Sequence, residues 1–189
     1  MLMQVLRYTR VAMALHWAVA ALMIAAVGLA LSAEAFGDDW VRPIVNTHKS
    51  IGLTVLGLVL LRLLWRAAHP APPLPAEYGR WERTAAFAAH LGLYGLMLAL
   101  PISGWLHDSA WNGAATHPLT LYGVIPWFRI GWLADLDSAT KDVVHAQLFA
   151  VHQALGYALY ALVALHVAGA LKHQLVDRQP ELQRMTPGR

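Results

Sequence analysis

Histidine is the side chain that stands out in this sequence, and its positions suggest chemistry before any element is assigned. The stretch VHQALGYALYALVALHVAGALKH (151–173) carries His152, His166 and His173, with no formally charged side chain between His152 and Lys172. Ionisable groups inside apolar runs are costly, and they mark ion paths, relays or ligand sites. On a helix, fourteen residues make four turns less about 40°, so His152 and His166 share one face at levels about 21 Å apart. His16, His48 and His90 also stand in or at the edge of apolar runs. Imidazole at such places serves as metal ligand, haem ligand or proton carrier. The chain has no cysteine, which excludes disulfides, thiolate-bound zinc, iron–sulfur clusters and covalent haem attachment through C-x-x-C-H.

The elements that must position these imidazoles follow from composition. Of 189 residues, 58% are hydrophobic and 13% charged, against about a quarter charged in soluble domains. This is the composition of one compact integral membrane domain over 1–189. The basic balance, +3 with a pI of 9.4, lies at the flanks of apolar runs and forms no basic stripe, so its partner is membrane lipid and not nucleic acid. A span needs about 20 mostly apolar residues. Four windows qualify, at about 11–31, 48–65, 84–106 and 147–171, which predicts an all-α, antiparallel four-helix transmembrane bundle. Residues 32–46 and 66–83 connect the first three. A longer segment, about 107–146, carries Trp111, Trp127 and Trp132 with four aspartates, a composition suited to the membrane interface. RYTR followed by an apolar run and Ala33-Glu34-Ala35 resembles a signal peptide with a cleavage site. The run is about 21 residues long, beyond the 7–15 of a signal sequence, and this favours a retained first helix.

Ten of the fourteen Arg and Lys fall on the side of the termini: Arg7, Arg10, Arg62, Arg66, Arg80, Arg83, Lys172, Arg178, Arg184 and Arg189. The positive-inside rule then predicts that both termini are cytoplasmic. With that orientation each imidazole has a depth. His48 and His152 are outer, while His16, His90 and His166 are inner. The pairs His48–His152 and His16–His166 suit two six-coordinate haem b groups held without covalent attachment. Zinc would want three or four ligands at one level, and the middles of the spans hold no carboxylate. Gly28, Gly52, Gly57, Gly92 and Gly156 would admit a flat macrocycle or close helix packing. Arg62, fourteen residues after His48, falls at the inner level, where it would meet a haem propionate or snorkel to headgroups. Lys49 would attract a small anion, an outer propionate or a lipid headgroup.

The segments RYTRVAMALHW (7–17), NTHKSIGLTVLGLVLLRLLWR (46–66), HLGLYGLMLALPISGW (90–105), HQALGYALYALVALHVAGALKH (152–173) and ELQRM (181–185) resemble the prokaryotic cytochrome b561 family. The resemblance implies a four-helix, bacterial inner-membrane dihaem protein that exchanges electrons with quinone. It implies His16, His48, His152 and His166 as iron ligands, the same four that depth matching selects, and it gives His90 and His173 roles toward propionates, protons or quinone. One activity of the family is superoxide oxidase, which passes electrons from superoxide to ubiquinone. The expected function is therefore electron transfer between a periplasmic-side donor and the quinone pool, either as a superoxide:ubiquinone oxidoreductase or as a carrier serving a separate dehydrogenase or reductase. A histidine-lined proton or metal-ion transporter is the rival from another class.

Overall fold

The computed structural model describes residues 6–33, 35–75 and 77–187. Glu34 of the signal-like motif and residues 1–5 of the predicted cytoplasmic tail lie outside that range. Four long helices carry the fold: α1 (Arg10–Ser32), α2 (Asp38–Ala68), α3 (Arg80–Ser109) and, after a short helix α4 (Gly131–Ala134), α5 (Ser138–Leu171). A π-helical turn (Lys172–Val176) and a last short helix, α6 (Glu181–Arg184), follow. All four long helices are long and apolar enough to cross a membrane.

These helices run past the apolar windows, because an apolar window measures hydrocarbon thickness whereas a helix ends where its backbone finds a cap. Thr9 Oγ1 accepts from Ala12 N at 3.2 Å to start α1. Asp38 and Asp39 fill the first turn of α2, where carboxylates complement the positive end of the helix. The Glu82 carboxylate accepts from Gly79 N at 2.8 Å at the start of α3. Asp137 Oδ1 accepts from Thr140 N at 3.0 Å to start α5, and the hydrogen bond from the Thr140 hydroxyl, ahead of this cap, holds the Asp137 carboxyl below its ordinary range.

Val19, Ile51, Val55, Val59, Leu93, Met97 and Leu159 form the buried core. In sequence they fall between the two histidine levels, so an apolar plug separates those levels. Ile24, Leu64, Phe87 and Leu165 are each more than 60% exposed, as side chains facing lipid would be. Helix α1 packs on α2 and α3 packs on α5, with α2 against α3 joining the two pairs. A Cβ at Gly92 would lie 2.8 Å from Leu162 Cδ2, so this glycine serves α3–α5 packing. Neither α1 nor α2 packs closely on α5.

The segment after α3 forms a 3₁₀ turn (Asn112–Ala115), a two-stranded hairpin of β1 (Thr120–Leu121) and β2 (Ile125–Pro126), and α4. Leu121 pairs with Ile125, and Tyr122 and Gly123 turn the chain at φ of 53° and 73°. Glycine accepts that conformation without strain, whereas tyrosine needs support. The support comes from α2: Tyr122 N donates to the buried Ser50 Oγ at 2.9 Å, and its hydroxyl meets Thr54 Oγ1 at 2.8 Å. Asp108, 3% exposed, binds both Lys49 (2.6 Å) and Arg129 (2.9 Å), and so ties α2, α3 and the loop together.

At the opposite end α6 clasps three parts of the chain. Tyr8 N donates to Arg184 O at 3.1 Å, and Trp17 Nε1 donates to Met185 O at 2.7 Å. The buried Arg184 guanidinium donates to Pro72 O and Pro73 O, and the Tyr78 hydroxyl donates to Glu181 at 2.6 Å. Burial, and then this bond to a carboxylate, push the Tyr78 phenol well above its ordinary pKa, which keeps it a donor. The ELQRM segment is thus the fastening of the termini end.

Candidate functional site

Two groups of imidazoles face each other across the slot between α5 and the α1–α2 pair. At the loop end the rings of His48 and His152 stand 6.2 Å apart, centre to centre, at 88°. At the termini end His16 and His166 stand 6.5 Å apart at 60°. A metal–imidazole bond of about 2.0 Å, with a ring centre about 1.15 Å beyond the nitrogen, puts two trans imidazoles about 6.3 Å apart. Both ring-centre distances lie within about 0.2 Å of that value. His90 and His166 are nearer, at 5.4 Å, too close to hold an iron between them as they stand.

Hydrogen bonds decide which nitrogen each ring offers. His48 Nδ1 lies 2.8 Å from Ala26 O. A carbonyl only accepts, so His48 carries its proton on Nδ1 and keeps the Nε2 lone pair free. His152 Nδ1 lies 2.9 Å from Ser103 Oγ, which lies 2.9 Å from Leu100 O. The single hydroxyl proton goes to the carbonyl, so Ser103 accepts from His152 Nδ1–H. The His152 Nε2 lone pair is then free as well. The termini end differs. Arg62 donates to His16 Nδ1 at 3.0 Å and lies 5.2 Å from the Tyr94 ring centre. Guanidinium has no acceptor, so in this arrangement neutral His16 holds its proton on Nε2.

The space around the rings fits a flat group. A Cβ added at Gly28, Gly52 or Gly57 would meet nothing within 4 Å, and Gly52 stands one turn from His48. At Gly104 it would meet His152 Cε1 at 3.2 Å, so the α3 backbone is the wall against which that imidazole rests. The donor set, imidazoles in facing pairs within apolar helices, fits a b-type haem. Lys49 does not stand as a free cation beside His48, because it is paired with Asp108. His173 lies beyond α5 in the π-helical turn, 2.6 Å from Asp177 and stacked on Tyr78. Glu82, His173 and Asp177 are near enough to share a metal ion. Lys172 already bonds both carboxylates, so an ammonium occupies the place that a cation would take.

One imidazole pair escaped the sequence reading. His107 and His145 stack at 3.8 Å on the loop side of His152, and His145 Nδ1–H donates to His107 O at 3.0 Å. Both fall in the segment read as loop, because Asp108 and Asp142 end the apolar windows there. The available signal was that His145 precedes His152 by seven residues, about two turns.

The sequence profile of prokaryotic cytochrome b561 matches residues 7–188. The chain belongs to the prokaryotic cytochrome b561 family. It is 35% identical over 183 residues to cytochrome b561 homolog 2 of Escherichia coli K12, covering 95% of this chain and 90% of that protein. It is 27% identical to the probable superoxide oxidase CybB of Yersinia pestis, covering 96% of each. Cytochrome b561 homolog 1 of E. coli K12 is 24% identical, covering 97% of this chain and 98% of that one. This cytochrome b561 is therefore a multi-pass membrane electron carrier, and its family implies b-type haem.

Proposed function

We propose that this cytochrome b561 forms one domain with two haem b groups and carries electrons from a donor at the loop end to a quinone of the ubiquinone type. The observation that carries the reading is the pair of imidazole gates on α5, at His152 and His166, each at the spacing for one iron. His48 and His152 hold the haem at the loop end, and His16 and His166 the haem at the termini end. Bound haem supplies one-electron transfer within a dry bundle. The protein fixes both sites on rigid helices, and the core between them keeps water out. To hold a haem through Nε2, His16 would carry its proton on Nδ1 and Arg62 would give up that contact, and a propionate is the anion that would receive the guanidinium.

The termini face the cytoplasm of a bacterial inner membrane in this reading, on the strength of the arginine distribution. His90, and His173 with its Asp177 partner, stand at that end, where quinone reduction takes up protons. Superoxide is the donor we favour, supported by the relationship to the Yersinia protein. Two superoxide anions deliver two electrons and leave as dioxygen, while quinone gains both electrons and two protons. At the loop end Lys49 and Arg129 share the single carboxylate of Asp108, which leaves the cluster positive toward an anion. A carrier serving a separate dehydrogenase or reductase keeps the same haems but needs that partner.

A pyridine haemochrome assay on purified protein is expected to give two haem b per chain, low-spin in both redox states. Absence of a Soret band would leave the transporter reading standing. Superoxide-dependent quinone reduction by the protein alone separates the oxidase from the partner-dependent carrier. A cysteine at Pro73 should resist impermeant thiol reagents in intact cells while one at Ala139 reacts, and the reverse pattern inverts the orientation.

A further inference from the structure

Ser103 and Gly104 form a seat for one imidazole that the spacing of histidines does not reveal. Ser103 is 5% exposed on α3, and its hydroxyl is fixed at both ends, donating to Leu100 O and accepting from His152 Nδ1, each at 2.9 Å. Gly104 lets the ring lie so close that a Cβ there would be 3.2 Å from Cε1. One group sets the tautomer and the other sets the position. At the termini end His16 faces Arg62 instead.

We infer that Ser103 and Gly104 are positioning residues that present His152 Nε2 to the haem iron at the loop end and tune that haem alone. The inference rests on the reading that His48 and His152 carry this haem. An acceptor on Nδ1–H makes the opposite nitrogen a stronger donor and fixes the ring plane. A stronger donor favours ferric over ferrous iron, so the hydroxyl lowers the potential of this haem relative to a site without it. Ser103→Ala removes the hydroxyl acceptor and leaves His152 only the Leu100 carbonyl beside it, while Ser103→Thr keeps the hydroxyl. Gly104→Ala keeps the hydroxyl and displaces the ring.

The test is a redox titration of the detergent-purified holoprotein with low-temperature electron paramagnetic resonance and haem counting, for wild type and the three variants. Ser103→Ala is expected to raise the potential of the loop-end haem and shift its low-spin signal, with the other haem unmoved and Ser103→Thr close to wild type. Retention of that haem against an external apoprotein acceptor should fall about tenfold to 100-fold in Ser103→Ala, the range for partners that orient a metal ligand. Gly104→Ala should change the same signal through ring geometry. If both haems in Ser103→Ala keep wild-type potentials and spectra, or shift together, the inference is overturned. It is also overturned if Ser103→Thr behaves like Ser103→Ala. Failure of the underlying ligand reading shows separately, as a His152→Ala protein that still holds two bis-histidine centres.

Discussion

His48 and His152 each give an Nδ1 proton to a fixed acceptor, Ala26 O and Ser103 Oγ, and each leaves Nε2 open. Their neighbourhood is pinned as well, by Asp108 between Lys49 and Arg129 and by the hairpin on Ser50 and Thr54. At the other end His166 faces two imidazoles, one at 6.5 Å and one at 5.4 Å, and His16 is engaged by Arg62. In the proposed reading the first site is organised before a cofactor arrives, whereas the second would have to exchange a proton and a hydrogen bond to accept one. Preorganisation lowers the cost of binding, so the two proposed haems should differ in how readily they load and leave.

The largest expected effect breaks the comparison outright. Replacing His48 or His152 by alanine should remove the loop-end haem and leave one haem per chain, because a haem without a covalent link depends on both axial bonds. Replacing His16 or His166 should remove the other. His90→Ala should keep both haems and alter exchange with quinone. Haem content with the low-spin spectrum decides. If His90→Ala loses a haem while His16→Ala retains two bis-histidine centres, His90 is the partner of His166 and the 6.5 Å spacing has misled.

What the sequence could reveal of this comparison depended on distance along the chain. The levels of His152 and His166 follow from helical rise within one element, and the orientation of the spans places His16 and His48 beside them. The apolar windows announced four helices because hydrocarbon thickness fixes their length. The order of each site was hidden, since it rests on contacts between helices. Nothing in the run SGWLHDS marks Ser103 as an acceptor for an imidazole on α5, or Asp108 as the partner of Lys49 on α2. Glycines at 52 and 92 looked alike, yet one meets open space and the other Leu162. His107 and His145 were passed over because charge nearby ended the apolar pattern.

Asp108→Asn tests whether pinning at the loop end matters. It leaves two cations without their carboxylate at a position that is 3% exposed. Breaking a buried pair costs about 3–5 kcal/mol, and the partial exposure of Lys49 and Arg129 places this case near about 3 kcal/mol. In a thermal melt followed at the Soret band, the loop-end haem should be released well before the other. Release of both haems together, at the wild-type temperature, would show that the ion triad does not support the site.

A smaller change is expected at the termini end from Arg62→Met. The substitution keeps the length and removes the charge beside His16 and Tyr94. A cation near a haem stabilises the reduced form, so its loss should lower the potential of the termini-end haem by about 60 mV, a factor of ten for one electron. The loop-end haem should not move. An unchanged titration would mean that Arg62 stays with headgroups or solvent in the loaded protein.

Asp177 offers the smallest effect and the closest contrast with Asp108. It too serves two partners, Lys172 at 2.8 Å and His173 at 2.6 Å, but it is exposed, so water and salt screen what it contributes. The hydrogen bond from Lys172, ahead of the one from His173, holds its carboxyl below the ordinary range. A folded-state pKa below the unfolded one means stability that is present above about pH 3.9 and lost as pH falls through the depressed value. Asp177→Asn should therefore lower the thermal midpoint slightly at neutral pH and by less as pH falls below the ordinary carboxylate range, so the two melting curves against pH should converge on acidification. The haem count should stay the same, while quinone reduction slows if His173 needs its carboxylate partner. A variant whose deficit does not shrink at all on acidification would show that Asp177 acts through packing of the π-helical turn and not through its charge.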